Sequence, residues 1–358
     1  METKTNKGYL LLADISGYTS FMAGTELEHS QHIIAEFLRG IIGNLTPTLT
    51  LSEVEGDAVF VYCTCEHIQR GETLLELIET TYGAFKNQQE SIQRKSTCTC
   101  DACRSISILD LKFIVHAGEF GFQNITGTKK PIGSSVNLAH RLLKNHIAEE
   151  TSWRAYTLIS DDAAQMLAVE DGSMHRSREA YEHFGEIRTT SYDLSERYRA
   201  MMRQKSVKVS DADAFFRMER RFPVPAPLLW EWLNDPSKRN LYSDSVEWKA
   251  GKRTRGRTGA GSENHCSHGK GESVEEIVDW KPFDYYTCRS ASGPFRFLYT
   301  DEITTIDGGT QYVTRWTVEN KFPRWIFFPI LRMMMLKVFK FEEILNRLEK
   351  QLEGISRG

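Results

Sequence analysis

The chain has 358 residues, 40% of them apolar and 26% charged, with a formal net charge of −3. That length exceeds what one compact core usually takes, so two domains are expected, and the near-balanced charge gives no electrostatic footing for nucleic acid. Seven cysteines, an odd number in a long chain, read as reduced thiols of a cytoplasmic protein rather than as a disulfide framework. Residues 1–7 are polar, and the apolar run 9–13 stops at Asp14, so neither a signal peptide nor an integral membrane span is expected.

Residues 8–13 read as a buried strand ending in Asp14. Ser16, Gly17 and Thr19 turn the chain. Ile33, Ile34, Phe37, Leu38, Ile41, Ile42 and Leu45 then recur at helical spacing, before Pro47 stops the helix. Residues 48–55 and 58–63 read as two strands of a hairpin joined at Gly56, with Asp57 at the start of the second. Leu74, Leu75, Ile78, Tyr82 and Phe85 share one face of a helix over 70–92. A cysteine-bearing insert, 95–104, follows. Strands are expected at 106–116 and 119–125. A helix over 135–145 has Val136, Ala139, Leu142 and Leu143 on its apolar side. A strand at 154–159, a helix near 161–167 and a last pair of strands near 181–194 complete an α+β domain over 1–194, with one mainly antiparallel sheet.

Residues 195–210 are polar and basic (Arg197, Arg199, Arg203, Lys205, Lys208) and read as a linker. A second domain, 211–358, starts with a strand at 214–222. Pro223, Pro225 and Pro227 lead into a short helix with Leu228, Trp230 and Trp232, ended by Asn234-Asp235-Pro236. Strands are expected at 262–268, 273–280, 285–290, 295–306 and 311–320. A final helix carries Phe339, Phe341, Ile344, Leu345, Leu348 and Leu352. Residues 325–336 are too apolar for an exposed helix start and, with Pro329 and Arg332, too short and interrupted for a membrane span. They suit lining a cavity, closing it, dipping into a membrane surface, or plain packing on the sheet.

Asp14 and Asp57 bring two carboxylates to neighbouring strand ends, a donor set suited to Mg²⁺ or Mn²⁺ on a triphosphate. Asn137 and Arg141, four apart, share a helix face. Three ordered motifs over 8–194 resemble the catalytic domain of class III nucleotidyl cyclases: Leu12-Ala13-Asp14-Ile15-Ser16-Gly17-Tyr18-Thr19, Glu55-Gly56-Asp57-Ala58-Val59, and His116-Ala117-Gly118-Glu119 followed by residues 133–142 with Asn137 and Arg141. The resemblance implies a ferredoxin-like, cyclase-type sheet and a homodimer with two equivalent sites. It implies metal at Asp14, Ile15 and Asp57, phosphates near Ser16, Gly17, Tyr18 and Thr19, and catalytic roles for Asn137 and Arg141. Its base-reading positions fall on Glu53 and on Lys130 (Lys129 if the turn is shifted), reversed in charge relative to an ATP reader and suited to guanine. The lysine that family members aim at the triphosphate has no clear counterpart near Phe184-Gly185-Glu186.

Plainer readings stand beside these. A strand-end aspartate also serves turns and caps. Asn137, beside Ser134 and Ser135, also reads as a helix cap, and Glu53 and Lys130 also read as a mutual ion pair. Cys98, Cys100 and Cys103, with Cys65, His67 or a dimer mate, suit a structural Zn²⁺ site or stand as reduced surface thiols.

The Pro223–Trp232 stretch, the Asn234-Asp235-Pro236 helix end, Trp280-Lys281-Pro282-Phe283 and the terminal helix resemble the START-like (polyketide cyclase/dehydrase, lipid-transfer) superfamily. That implies a helix-grip fold with a cavity for an apolar small-molecule or lipid ligand. The expected function is metal-dependent conversion of a nucleoside triphosphate, GTP in place of ATP, to a 3′,5′-cyclic nucleotide and pyrophosphate, regulated by that ligand. The alternative is a non-catalytic nucleotide sensor or dimer scaffold with a ligand-binding module.

Overall fold

The computed structural model describes residues 5–64, 68, 70–95, 101–125, 128–168, 172–243, 246–253, 256–268, 271–320 and 323–356. The chain divides into two compact units, Met1–Met202 and Arg203–Gly358.

The first unit begins with β1 (Asn6–Ser16), α1 (Tyr18–Ala23) and α2 (Leu27–Leu45), then β2 (Thr50–Glu55) and β3 (Ala58–Thr64). Next come α3 (Gly71–Lys95), α4 (Asp101–Ser105), β4 (Asp110–Ile125), β5 (Thr128–Ile132), α5 (Ser134–Arg141) and α6 (Ile147–Thr151). It closes with β6 (Tyr156–Ser160), α7 (Asp161–Leu167), β7 (His175–Tyr181), β8 (Gly185–Asp193) and α8 (Leu194–Arg203). The main sheet runs β2-β3-β1-β4-β6-β8-β7, with β5 hairpinned onto β4. Pairing is antiparallel except between β4 and β6.

β1 lies between β3 and β4 and is buried on both faces, which is why its sequence is a continuous apolar run rather than an alternating one. Strand alternation sends Leu10 and Leu12 to the face where Phe60, Tyr62, Ile114 and the α5 residues Val136, Leu138 and Ala139 pack. Asp14, two residues on, ends that same face.

Three expectations change. The strands expected at 106–116 and 119–125 are one long strand, β4, preceded by a 3-10 turn at Ile106–Ile108. Gly118 does not break it because it pairs with Gly8 of β1 in the ladder. The helix expected over 135–145 ends at Arg141. The polar stretch 195–210 is structured: its first part is α8, held by Tyr82 Oη to Ser195 Oγ at 3.0 Å, and its end is tied into the second unit by Val207 N–H to Asp279 and Val209 N–H to Thr300 Oγ1.

The second unit contains β9 (Phe216–Phe222), α9 (Ala226–Asn234), α10 (Pro236–Arg239), β10 (Glu247–Ala250), β11 (Glu263–His268) and β12 (Gly271–Lys281). β13 (Tyr285–Ser292), β14 (Phe295–Ile306), β15 (Gly309–Val318), α11 (Arg324–Lys337) and α12 (Phe341–Ser356) follow. Its sheet, β10-β11-β12-β13-β14-β15-β9, is antiparallel throughout. α12 lays Leu345, Leu348 and Leu352 against Trp230, Tyr286 and Tyr299. The apolar stretch 325–336 forms α11. Its Leu331 and Met335 pack with Phe215, Phe216 and Phe297, while Trp325, Ile330 and Met333 face outward and are 81%, 52% and 52% exposed. Among the described residues no helix is long and apolar enough to cross a membrane.

Candidate functional site

The site grows from the end of β1. Asp14 stands opposite Ala58 of β3 and Lys112 of β4. The Ile15 N–H donates to the Asp57 carbonyl at 3.2 Å, which fastens the β2–β3 turn to the strand end. Gly56 takes a left-handed φ of 63° in that turn. The two carboxylates thereby come together: the Asp57 carboxyl is pushed above its ordinary value, first by burial and then by the like charge of Asp14.

Lys112 is a site residue that the sequence motifs do not mark. Its Nζ lies 3.0 Å from Asp14 Oδ2, with side chains 19% and 17% exposed respectively. Burial works against its charge, but Asp14, Tyr156 and Asp57 outweigh burial and raise its pKa. A lysine one residue into an apolar strand carries no motif, and only the β1–β4 register shows what it faces.

The chain next turns through Ser16 and Gly17 into α1. Gly17 has φ +85°, and a Cβ there would stand 2.5 Å from the Ile108 carbonyl oxygen, so this turn requires glycine. Gly17 is the N-cap residue of α1, ahead of Tyr18 and Thr19. Beside it the exposed Arg154 donates to the Ile108 carbonyl, which puts a guanidinium next to the turn. No signal in the sequence tied Arg154 to residues 16–19.

Glu53 and Lys130 meet across β2 and β5 and form an ion pair. Lys129 instead lies 4.0 Å over the Phe122 ring. The mutual pairing is thus present, and it places both side chains at one spot.

On α5, Val136, Leu138 and Ala139 are buried, while Asn137 and Arg141 are exposed one turn apart. Gly133 is the N-cap, without a side-chain cap; Asn137 sits in the following turn and does not serve that role. Neither Asn137 nor Arg141 has a hydrogen bond or ion pair to Asp14 or Asp57 among the described residues. His140, between them, has Nδ1 3.6 Å from Glu55 Oε2 and its ring edge-on to Phe60. Glu53, Glu55 and His140 present ligand atoms within 4.8 Å of one another.

Other expected residues serve the scaffold or fall elsewhere. His116 is buried, with Nδ1 2.8 Å from Ser160 Oγ; burial lowers its pKa and favours the neutral ring. Arg188, close to Phe184-Gly185-Glu186 where a phosphate lysine has no clear counterpart, has its Nε 3.9 Å from Asp161 Oδ2. Cys98 and Cys100, with Cys65 and His67, lie outside the described residues. Cys103 is on α4, partly buried.

Residues 34–151 match a family model described as a protein of unknown function (DUF2652). The chain is 27% identical over 169 residues to an uncharacterized protein of Mycobacterium tuberculosis, spanning 45% of this chain and 74% of that protein. Among solved structures it is similar to the adenylyl cyclase CyaB from P. aeruginosa, with a TM-score of 0.41 and 18% identity over 54% of this chain and 97% of that one. It is also similar to the guanylyl cyclase Cya2, with a TM-score of 0.39 and 15% identity over 55% and 98%. A third is the non-canonical dimeric guanylyl cyclase domain of the RhoGC fusion protein from Blastocladiella emersonii, with a TM-score of 0.36 and 15% identity over 52% and 97%. These structural neighbours are adenylyl and guanylyl cyclases, and each likeness spans about half of the chain.

Proposed function

We propose that the first unit binds a nucleoside triphosphate with Mg²⁺ or Mn²⁺ and converts it to a 3′,5′-cyclic nucleotide and pyrophosphate. The observation that carries this reading is the placing of Asp14 and Asp57 together at the end of β1, where Asp14 stands opposite Ala58 and the Ile15 N–H holds the Asp57 carbonyl at 3.2 Å. Two crowded carboxylates are hard oxygen donors for such an ion, with the Ile15 carbonyl as a third. When bound, the ion supplies neutralisation of the charge that develops around phosphorus. The bond from the ribose 3′-oxygen to the α-phosphorus forms, the bond from the α-phosphorus to the bridging oxygen breaks, and the hydroxyl proton passes to solvent.

The chain's own residues do the rest. The turn at residues 16–19 and the Arg154 guanidinium receive the outer phosphates. Arg141 clamps the α-phosphate with charge-assisted hydrogen bonds, and Asn137 orients the ribose. In this reading Asn137 and Arg141 act on the acidic pair of a second copy, in a homodimer with two equivalent sites. Glu53 accepts from guanine N1–H and N2–H₂ while Lys130 donates to O6, which favours GTP over ATP. The second unit acts as a START-like helix-grip module whose apolar ligand shifts the dimer geometry.

One observation favours a non-catalytic sensor or scaffold instead. Lys112 already supplies Asp14 with a cation, and Lys130 already satisfies Glu53. The discriminating experiment incubates purified protein with each nucleoside triphosphate and Mn²⁺ and detects cyclic products by mass spectrometry. Cyclic GMP from the wild type and none from Asp57→Ala is the expected result. Equal traces from both proteins with every nucleotide would leave the scaffold reading.

A further inference from the structure

The second unit holds a cavity of about 170 Å³ between the inner face of its sheet and helices α11 and α12. Alternation along β14 turns Phe297, Tyr299 and Asp301 toward it together. Ile344, Leu345 and Leu348 of α12 form the opposite wall. An apolar cavity of about 150 Å³ takes up benzene, so this space has the size of one ring rather than of a lipid chain.

Its polar groups are unequal. Arg239 holds Glu275 through two hydrogen bonds of 2.7 and 3.1 Å. Asn264 and the Tyr299 hydroxyl donate to the same carboxylate, so that network is closed. Asp301 is different. It is 5% exposed; Tyr286 donates to its Oδ2, and the Thr314 and Tyr312 hydroxyls also hydrogen-bond to the carboxyl group, yet no donor meets the buried Oδ1 in hydrogen-bond geometry. A buried oxygen left without a partner is destabilising, and native structures seldom keep one. The indole N–H of Trp248, which also lines the cavity, is likewise without one.

We propose that this cavity binds a small, neutral, one-ring molecule bearing a single hydroxyl group, the hydroxyl pairing with Asp301 Oδ1 and the ring packing on the apolar wall. A hydroxyl both donates and accepts, so it pairs with Asp301 in either protonation state. The same burial that raises the Asp301 pKa opposes taking a charged group of the ligand out of water, so anionic ligands are disfavoured. This inference rests on the reading of the second unit as a ligand-binding module, and it narrows that module's ligand from lipid to phenol-sized.

The test is calorimetric titration of the full-length protein with p-cresol, toluene, benzoate and palmitate. p-Cresol is expected to bind saturably and toluene at least ~10-fold more weakly, since toluene leaves Oδ1 unpaired. Benzoate is expected not to bind. Asp301→Leu should bring p-cresol and toluene to similar affinities, whereas Asp301→Asn, which keeps a polar group of the same size, should retain the preference for p-cresol. Equal affinities of the wild type for p-cresol and toluene overturn the inference. Binding of palmitate alone overturns it while supporting a ligand-binding module. Binding of no probe overturns both, with ordered water as the partner of Asp301. Should the leucine variant fail to fold, the wild-type ratio of p-cresol to toluene decides.

Discussion

Lys112→Met removes the one positive charge 3.0 Å from Asp14 Oδ2 and keeps most of the apolar stem. Losing one partner of a fully buried ion pair costs about 3–5 kcal/mol, against about 0–1 for an exposed pair. Here both side chains are less than one-fifth exposed, at 19% and 17%, and Asp57 adds a second like charge. The expected loss is about 2 kcal/mol, or roughly 4–8 °C in Tm for a unit of this size. The same change should sharpen the response to metal, because Mn²⁺ would no longer compete with an ammonium group. At ten times its Kd an ion returns about 1.4 kcal/mol, so Mn²⁺ should recover most of the variant's loss and stabilise the wild type less. The assay is thermal and urea denaturation followed by circular dichroism, in EDTA and in Mn²⁺. A variant as stable as the wild type in EDTA would refute the electrostatic account of the acidic pair. Equal stabilisation of both proteins by Mn²⁺ would refute the claim that lysine and metal share one place.

Three further outcomes are expected. Arg141→Ala should lower kcat by roughly 100-fold or more, and co-expressed Asp57→Ala and Arg141→Ala chains should recover about a quarter of wild-type activity, because only mixed dimers rebuild one intact site; recovery near zero would exclude sites shared between two copies. Exchanging the base-reading charges with Glu53→Lys and Lys130→Asp should lower the ratio of GTP to ATP turnover by ~10-fold or more, measured as cyclic products in competition. His146 donates its backbone N–H to the buried Glu179 at 3.0 Å and has Nδ1 2.8 Å from the other oxygen, and this hydrogen bond raises its pKa above 6.5. Its contribution to stability is therefore complete below pH 6.5 and lost as pH rises through the folded value. The stability gap between wild type and His146→Ala should accordingly be wider at acid than at alkaline pH, and a gap independent of pH would remove the charge from the account.

Much of the first unit could be read directly. The apolar run of β1 with its terminal Asp14, the turn at Gly56 and the apolar face of α5 are local patterns, each set by backbone conformation and burial period. α8 went unread because its polar residues hide a helix held by tertiary contacts such as Tyr82 with Ser195. β4 was split in two because Gly118 looks like a breaker to any local rule; its ladder with Gly8 overrides that. In the second unit the expected strand 295–306 is β14 as it stands, but that Asp301 keeps a buried oxygen without a geometric partner beside a cavity is invisible in its neighbours along the chain.

By itself the sequence determined where carboxylates end apolar strands and which residues share a helix face, because these follow from periods of two and of 3.6 residues. Only the tertiary structure decided that Lys112 stands against Asp14 and that Glu53 meets Lys130. Those neighbours are set by strand register between distant segments, and a slip of one residue would send each side chain to the other face of the sheet.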